Sequence, residues 1–175
     1  MTLTQASKHR LRSDVLTAIA VVARNGVIGD GADQPFKFAL DWRRFKRRTL
    51  GHALIMGRRT YDSIGALPGR VSIVVSRNPG KVTVEEPNSV VGSFDEALTV
   101  AKNLDFGEIF LIGGGQMYEI GLPYVDVLDI TEVPLDAEGQ VKFPQIDPTV
   151  WKEVSRESHE EFDFVRYERI VPLQP

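Results

Sequence analysis

The segment Glu108-Ile-Phe-Leu-Ile-Gly-Gly-Gly-Gln-Met-Tyr-Glu119 combines a short apolar run with three consecutive glycines. The apolar residues 109–112 are typical of a strand that is buried on both faces. The glycines at 113–115 follow, and Gln116 begins a stretch with the pattern of a first helical turn. A strand, a glycine turn and a helix start together can present backbone N–H groups to an anion. The alternative interpretation is a tight strand-to-helix turn that binds nothing.

Two further strand ends carry polar junctions of the same kind. Residues 53–56 are predicted as a buried strand, and Gly57-Arg58-Arg59-Thr60 opens a predicted helix that continues to Ile64. Residues 71–76 are predicted as a strand that ends in Ser76-Arg77. Ligands of open α/β sheets bind outside the carboxyl ends of the strands, and arginines and hydroxyls gathered there suit a ligand with several phosphates. The alternative is that these arginines are ordinary surface residues near turns.

The rest of the chain predicts the fold class. Further strands are predicted at residues 15–22, 89–91 and 127–133, further helices at 41–50 and 94–104, and loops at 23–35 and 134–143. The second of these helices opens with the capping box Ser93-Phe-Asp-Glu96. Residues 151–158 and 162–170 alternate in polarity, which indicates an antiparallel hairpin. We therefore expect a single-domain α/β fold with a mainly parallel central sheet, an antiparallel C-terminal edge hairpin and helices on both faces.

Composition excludes several classes of function. The chain has 175 residues, 42% hydrophobic and 26% charged, which indicates one ordinary globular domain. A net charge of −3 argues against a general nucleic-acid binder. The absence of cysteine removes disulfides, thiolate catalysis and thiolate metal ligands, and three scattered histidines predict no metal site. The absence of cysteine also fits a reducing compartment, so we expect a cytoplasmic protein.

The N-terminus raises the question of targeting. Basic residues precede the apolar run that starts at Val15, an arrangement that loosely imitates a signal peptide, but Asp14 interrupts the junction. We interpret residues 1–14 as a flexible N-terminal arm and residues 15–171 as the folded domain.

Asp41 is the candidate acid. It lies on a predicted helix after a long glycine-rich loop, beside Trp42 and Phe45. A carboxyl group among aromatic rings has a raised pKa and can hold a proton near neutrality. The alternative is that Asp41 is only the N-cap of its helix, whose five cations between residues 43 and 48 are mostly a solvated face. One acid, no nucleophile–base motif and a phosphate-rich cofactor together suggest hydride transfer.

Joined in this order, the motifs resemble dihydrofolate reductase over about residues 15–170. The segments that carry the resemblance are Asn25-Gly-Val-Ile-Gly29, Asp41 with Phe45-Lys46, Ile55-Met-Gly-Arg-Arg-Thr-Tyr-Asp-Ser-Ile-Gly65, Leu67-Pro-Gly-Arg70, Ser76-Arg-Asn78, Ile112-Gly-Gly-Gly-Gln-Met-Tyr118 and Ile130-Thr131. The resemblance implies NADPH-dependent reduction of 7,8-dihydrofolate to 5,6,7,8-tetrahydrofolate, with hydride transfer to pterin C6 and protonation of N5. It also implies a place in one-carbon metabolism, binding of antifolate inhibitors, and a monomer with no nucleic-acid or membrane partner.

The resemblance assigns roles to individual residues. Asp41 is expected to be catalytic and to bind the pterin, Thr131 to bond this carboxylate, and Arg70 to clamp the α-carboxylate of the glutamate tail. The expected substrate-binding residues are Ile19, Val21, Asp41, Trp42, Phe45, Ile64, Leu67, Arg70, Ile112, Tyr118 and Thr131. The expected NADPH-binding residues are Val21, Ile28, Gly57, Arg58, Arg59, Thr60, Ser76, Arg77, Gly114, Gly115, Gln116, Met117 and Tyr118. The resemblance also predicts a cis peptide between Gly114 and Gly115.

The chain departs from the family pattern at four positions. Phe36 replaces a tryptophan that hydrogen-bonds a pocket water, and Trp42 is bulkier than the usual Leu, Met or Phe. Gln116 replaces a frequent arginine, and Gln140 stands where some members have an aspartate that holds a mobile loop. Two alternative functions remain: the pyrimidine reductase of riboflavin synthesis, which shares this fold and NADPH, and a non-catalytic nucleotide-binding module.

Overall fold

The computed structural model describes residues 14–29, 34–104 and 106–173. Four α-helices lie in this part of the chain: α1 (Ala39–Thr49), α2 (Arg58–Ile64), α3 (Phe94–Asn103) and α4 (Gly115–Gly121). The strands are β1 (Val15–Ala23), β2 (Val27–Gly29), β3 (Ala53–Gly57), β4 (Val71–Val75), β5 (Ser89–Val91), β6 (Glu108–Leu111), β7 (Val127–Val133), β8 (Val141–Lys142), β9 (Trp151–Ser158) and β10 (Asp163–Arg169). The predicted N-terminal arm lies outside the described residues except for Asp14.

Eight of these strands form one twisted sheet in the order β5-β4-β3-β6-β1-β7-β10-β9. The strands from β5 to β7 pair in parallel, whereas β10 pairs antiparallel with both β7 and β9. The apolar runs in β3 and β6 supply the middle of the sheet, where both faces are covered. The predicted parallel sheet with an antiparallel C-terminal edge is confirmed.

The helices cover both faces because strand side chains alternate between them. Ala53 and Ile55 of β3 pack in one core cluster, and Leu54 and Met56 pack in another. The first cluster receives the apolar faces of α3 and α4 through Phe94, Ala97, Ala101, Met117 and Tyr118. The second cluster receives α1 and α2 through Phe45, Tyr61 and Ile64.

A two-stranded ladder lies beside the main sheet and was not predicted. Val27 pairs with Lys142, and Gly29 pairs with Val141, so the two predicted loops at 23–35 and 134–143 are joined. Residues 30–33 of the first loop lie outside the described residues. Both strands are too short, at three and two residues, to give a periodic signal in the sequence.

The start of α1 also differs from the prediction. The helix begins at Ala39, two residues earlier than expected, and Phe38 is its N-cap. Asp41 is therefore the third residue of the helix, and its carboxylate points toward β7 rather than capping the helix end. The interpretation of Asp41 as an N-cap is wrong. By contrast, Ser93 caps α3 as expected, accepting a hydrogen bond of 3.2 Å from the backbone N–H of Glu96.

Candidate active site

A cavity of about 1150 Å³, called here the main cavity, opens along the carboxyl ends of the parallel strands. Residues that end or follow β3, β4 and β6 line it, together with residues 19–21 inside β1 and the first turns of α1, α2 and α4. The three polar junctions identified in the sequence thus meet at one edge of the sheet, where α/β folds bind their ligands.

Most of the predicted site residues line the main cavity. Those with expected substrate roles are Ile19, Val21, Asp41, Trp42, Phe45, Ile64, Ile112 and Tyr118. Those with expected cofactor roles are Val21, Ile28, Gly57, Arg58, Arg59, Thr60, Ser76, Arg77, Gly114, Gly115, Gln116, Met117 and Tyr118. Among the predicted site residues that the structure describes, Leu67, Arg70 and Thr131 lie outside this lining. Thr131 contributes to the site through the hydrogen bond that its hydroxyl donates to the Asp41 carboxylate.

Asp41 is held by β7. The Thr131 hydroxyl donates a hydrogen bond of 2.5 Å to the Asp41 carboxylate. Burial raises the pKa of Asp41 above its ordinary value, while the Thr131 hydrogen bond and the positive charge of Arg44 oppose this rise and the negative charge of Asp129 adds to it. The carboxyl group can therefore take part in proton chemistry closer to neutrality than an exposed aspartate.

Two aromatic rings extend from α1 along the cavity next to Asp41. The rings of Trp42 and Phe45 stack with centroids 5.3 Å apart and planes 8° apart. Trp42 remains 43% exposed at the mouth, and the Lys46 ammonium lies 5.7 Å from its ring centre. This arrangement provides a flat apolar wall suited to a planar ring system.

The glycine junction after β6 brings two strand ends into contact. The Gly57 backbone N–H donates to the Gly113 carbonyl at 2.8 Å, and the Tyr118 hydroxyl donates to the Ile19 carbonyl at 2.5 Å. A Cβ atom on Gly113, whose φ is +112°, would lie 3.1 Å from the Tyr118 ring. The junction therefore requires glycine at this position for both its conformation and its packing.

The cis peptide of this junction joins Gly113 to Gly114, not Gly114 to Gly115 as expected. The prediction placed the bond one residue too late. Gly115 is the first residue of α4, so the Gly114–Gly115 bond is the entry into a regular helix, which is built from trans peptides.

Cations and hydroxyls surround the far end of the main cavity. Arg58, Arg59 and Arg77 are exposed at its rim, whereas Ser76 is buried. Arg58 forms an ion pair of 3.5 Å with Asp62, one helical turn away. Since both partners are exposed, this pair is weak and leaves the guanidinium available to a phosphate.

Arg70 lies apart from the main cavity, beside a shallower cavity of about 410 Å³ that Leu67 also lines. Its guanidinium donates to the carbonyls of Pro68 and Lys46, and its Nε donates to the Thr49 hydroxyl at 3.1 Å. These contacts fix the direction of the side chain before any ligand binds.

The departures from the family pattern have distinct structural positions. Phe36 packs in an apolar cluster with Phe38, Phe162 and Phe164, its ring centre 5.8 Å from that of Phe38. Gln116 lines the main cavity and is exposed, and Gln140 is exposed beside β8. Phe36 thus supports the C-terminal hairpin with apolar packing.

Sequence reasoning missed an ion-pair network behind Asp41. Arg43, Lys46 and Arg47 are exposed, as predicted for this face of α1, but Arg44 and Arg48 are not. Both donate to Asp129 of β7. The available signal was Asp129 itself, a charged residue inside an apolar strand opposite a cation-rich helix.

The family model that matches this chain is described as dihydrofolate reductase and covers residues 15–169. The chain belongs to the dihydrofolate reductase family.

Individual relatives support this membership. The type 3 dihydrofolate reductase of Salmonella typhimurium is 39% identical over 146 residues, 83% of this chain and 88% of that protein. The dihydrofolate reductase of Mycobacterium tuberculosis is 41% identical over 74% of this chain and 80% of that protein. A solved dihydrofolate reductase from Enterococcus faecalis, complexed with NADP(H) and RAB-propyl, superposes with a TM-score of 0.79 at 30% identity, covering 90% of this chain and 97% of that one.

These matches confirm the predicted family, the fold class and the function of an NADPH-dependent dihydrofolate reductase, and they favour it over the pyrimidine reductase. Among the described residues, no group of histidine, aspartate and glutamate side chains is suited to a metal ion. Within the same residues, no helix is long and apolar enough to cross a membrane.

Proposed function

We propose that Asp41 binds the pterin ring of dihydrofolate and favours its protonation at N5. The observation that carries this assignment is a partly buried carboxylate with a raised pKa, held by Thr131 at the wall of the main cavity. Hydride arriving at pterin C6 leaves N5 in need of a proton. An anionic carboxylate that bonds the opposite edge of the ring stabilises the protonated pterin electrostatically, even when water delivers the proton.

The aromatic wall and the aliphatic residues around it suit the rings of this substrate. Trp42 and Phe45 form one side, and Ile19, Ile64 and Ile112 line the cavity around them. A planar pterin between such surfaces excludes water from its reacting atoms, which strengthens the electrostatic effect of Asp41. The Arg70 guanidinium lies beyond this wall, and we assign it the role of binding the carboxylate of the substrate's glutamate tail.

The residues at the far end of the main cavity fit the NADPH that the family uses. Gly114 leaves space beside the Thr60 hydroxyl, because a Cβ atom there would lie 3.6 Å from Thr60 Oγ1. Arg58, Arg77 and Ser76 supply two cations and a hydroxyl suited to an adenosine 2′-phosphate. NADPH supplies the hydride when bound, and the chain's own residues orient the two reactants and exclude water.

The decisive measurement is the fall in NADPH absorbance with dihydrofolate added or omitted. We expect oxidation that depends on dihydrofolate and exceeds that with NADH. The Asp41→Asn variant is the matched control, since it keeps the shape of the side chain and removes its charge. Binding of NADPH without oxidation in the presence of dihydrofolate would support the nucleotide-binding module instead.

We further infer that the protein is a cytoplasmic monomer that works on free small molecules. The cysteine-free composition supports a reducing compartment, and the net charge of −3 is unfavourable for binding nucleic acid. Sedimentation of the purified protein would test the monomer, and fractionation of cells would test the location.

A further inference from the structure

The inner face of α1 carries three charged side chains: Asp41, Arg44 and Arg48. Residues i, i+3 and i+7 lie on one face of a helix, and here that face lies against the sheet. The Arg44 guanidinium donates to Asp129 at 2.5 Å, and Arg48 Nε donates to the other oxygen of the same carboxylate at 3.2 Å. With the bond from Thr131 to Asp41, these contacts join α1 to β7 in a polar ladder of Asp41, Arg44, Arg48, Asp129 and Thr131.

Asp129 is the most buried charged residue of this ladder, and Arg44 is the less exposed of its two arginine partners. The Asp129 side chain is 3% exposed and that of Arg44 is 18% exposed. The Arg44 guanidinium also lies 4.3 Å from the centre of the Phe164 ring of β10. A charge this deep is strongly destabilising without its partner, so the pair fixes α1 against β7.

The ladder connects this pair directly to the candidate acid. Asp129 and Thr131 are two residues apart on β7, so their side chains point to the same face of the sheet. Asp41 and Arg44 are three residues apart on α1, and they contact Thr131 and Asp129 respectively. A rotation or shift of α1 cannot break one contact without straining the other.

We propose that Arg44 and Asp129 are positioning residues for dihydrofolate reduction, which hold the Asp41 carboxylate against Thr131 and set the electrostatic potential at its end of the cavity. This proposal rests on the role of Asp41 proposed above. Arg44 favours the ionised form of Asp41, and Asp129 opposes it, so the two charges act on the reacting proton with opposite signs.

Charged and apolar groups on α1 and on four strands surround Asp41. Its own helix contributes Arg44 and Arg48, β7 contributes Asp129 and Thr131, and β6 contributes Glu108, which Arg48 contacts at 2.9 Å. Strand β1 presents apolar Ile19 and Val21 on this face, and β10 presents Phe164, whose ring lies against that of His159 at 5.0 Å. Arg44 and Asp129 are the two charges that act on Asp41 with opposite signs, and their effects can be separated by mutation.

The test uses Arg44→Met and Asp129→Asn, with hydride-transfer rates measured across pH in single-turnover experiments. The midpoint of the rate-against-pH profile is a property of Asp41 and the bound pterin together, because the two groups titrate as a coupled pair. Loss of the positive charge should move the midpoint upward, and loss of the negative charge should move it downward. At a fixed pH above the midpoint, we expect Asp129→Asn to be slower by about tenfold.

The double variant Arg44→Met/Asp129→Leu removes both charges and leaves neither partner buried alone. Its midpoint should return close to that of the parent, because the two effects cancel. Arg47→Met is the matched control, since Arg47 is an exposed cation on the same helix. It should keep the parental midpoint and rate.

A second measurement does not depend on turnover. Carbon-13 resonances of the aspartate carboxyl groups can be titrated in the free protein, with that of Asp41 identified by its loss in Asp41→Asn. Opposite shifts of this titration in the two single variants would show that the pair sets the electrostatic potential at Asp41. If Asp41→Asn nevertheless kept the parental rate, that result would refute only the proposed role of Asp41.

Midpoints and titrations that stay parental, or move in the same direction, while stability falls would show that the pair only packs α1 and would overturn the proposal. If Arg44→Met does not fold, Asp129→Asn alone decides. A lower midpoint for that variant supports the proposal, and a parental midpoint refutes it.

Discussion

The hydroxyl of Thr131 lies 2.5 Å from the carboxylate of Asp41, although the two residues are 90 positions apart in the chain. One is the third residue of α1, and the other lies near the end of a central strand. The contact holds a carboxylate where burial makes its charge unfavourable. The position of Asp41 therefore costs folding stability, but it places the carboxylate at the wall of the cavity, where its charge can act on a ligand.

Asp41→Asn should lower the rate of hydride transfer at neutral pH by at least about 10²-fold, the usual scale of acid–base assistance. The variant keeps the shape of the side chain and an oxygen that can accept from Thr131, but it removes the charge. The loss should shrink at low pH, where substrate arrives already protonated from solvent. Rates of both forms from about pH 5 to about pH 9 would check this. A variant with near-parental rates and profile would show that Asp41 has no part in the chemistry.

The same substitution should stabilise the protein at neutral pH. Because the pKa of Asp41 is raised in the folded protein, the native state holds a proton that the unfolded chain releases, and stability falls as pH rises between the two values. Above this window the penalty is complete, and Asp41→Asn removes it. Urea unfolding at acidic and at neutral pH should show a gain only at neutral pH. Equal stabilities of the two forms at neutral pH would contradict the assigned burial penalty.

Arg58 should select NADPH over NADH. Arg58→Ala should raise the KM for NADPH and barely change that for NADH, because a charge-assisted bond to the additional phosphate contributes about 1.5–3 kcal/mol. NADH serves as the internal control for any change in folding or in the pyrophosphate site. An equal rise in KM for both cofactors would show that Arg58 does not bind the 2′-phosphate.

Arg70 should contribute to binding of the glutamate tail rather than to chemistry. Arg70→Leu should raise the KM for dihydrofolate with little change in kcat, and it should hardly affect a truncated substrate without the glutamate. The variant also removes donors to Pro68, Lys46 and Thr49, so we expect a loss of about 1 kcal/mol in stability. If full-length and truncated substrates suffer alike, these internal bonds are the whole role of Arg70.

The parts of the fold that the sequence predicts well are those with a local signal. The apolar runs in β3 and β6 identify buried strands, and the polar residues that follow them identify the ligand edge, where all three junctions line one cavity. The family resemblance then supplies roles for side chains such as Asp41, which local pattern alone leaves open between acid and helix cap.

The parts that were missed depend on contacts between distant segments. The β2–β8 ladder has five residues in all, and pairing rather than periodicity defines it. The ion pair of Arg44 and Asp129 joins residues 85 positions apart, so no local rule separates Arg44 from its exposed neighbours Arg43 and Arg47. The register of α1 on β7 decides which of these cations is buried.

Gly139 should be essential to the β2–β8 ladder. Its φ is +150°, and an added Cβ atom would lie 2.4 Å from the Gly29 carbonyl oxygen and 2.9 Å from a Val27 methyl group. The neighbour at the closest approach is backbone, so Gly139→Ala must displace β2. Since Ile28 of β2 and Val141 of β8 both line the main cavity, we expect weaker NADPH binding together with a stability loss of about 1–3 kcal/mol.

Two glycine variants provide matched controls for this prediction. Gly51→Ala has the strain of a positive φ, +78°, but its Cβ atom would meet nothing within 4 Å, and Gly80→Ala has neither strain nor a close neighbour. Unfolding free energies and NADPH dissociation constants of the three variants would separate backbone strain from displacement of β2. Gly51→Ala should lose stability without losing NADPH affinity, and Gly80→Ala should match the parent. Parental affinity in Gly139→Ala would show that β2 and β8 do not shape the cofactor site.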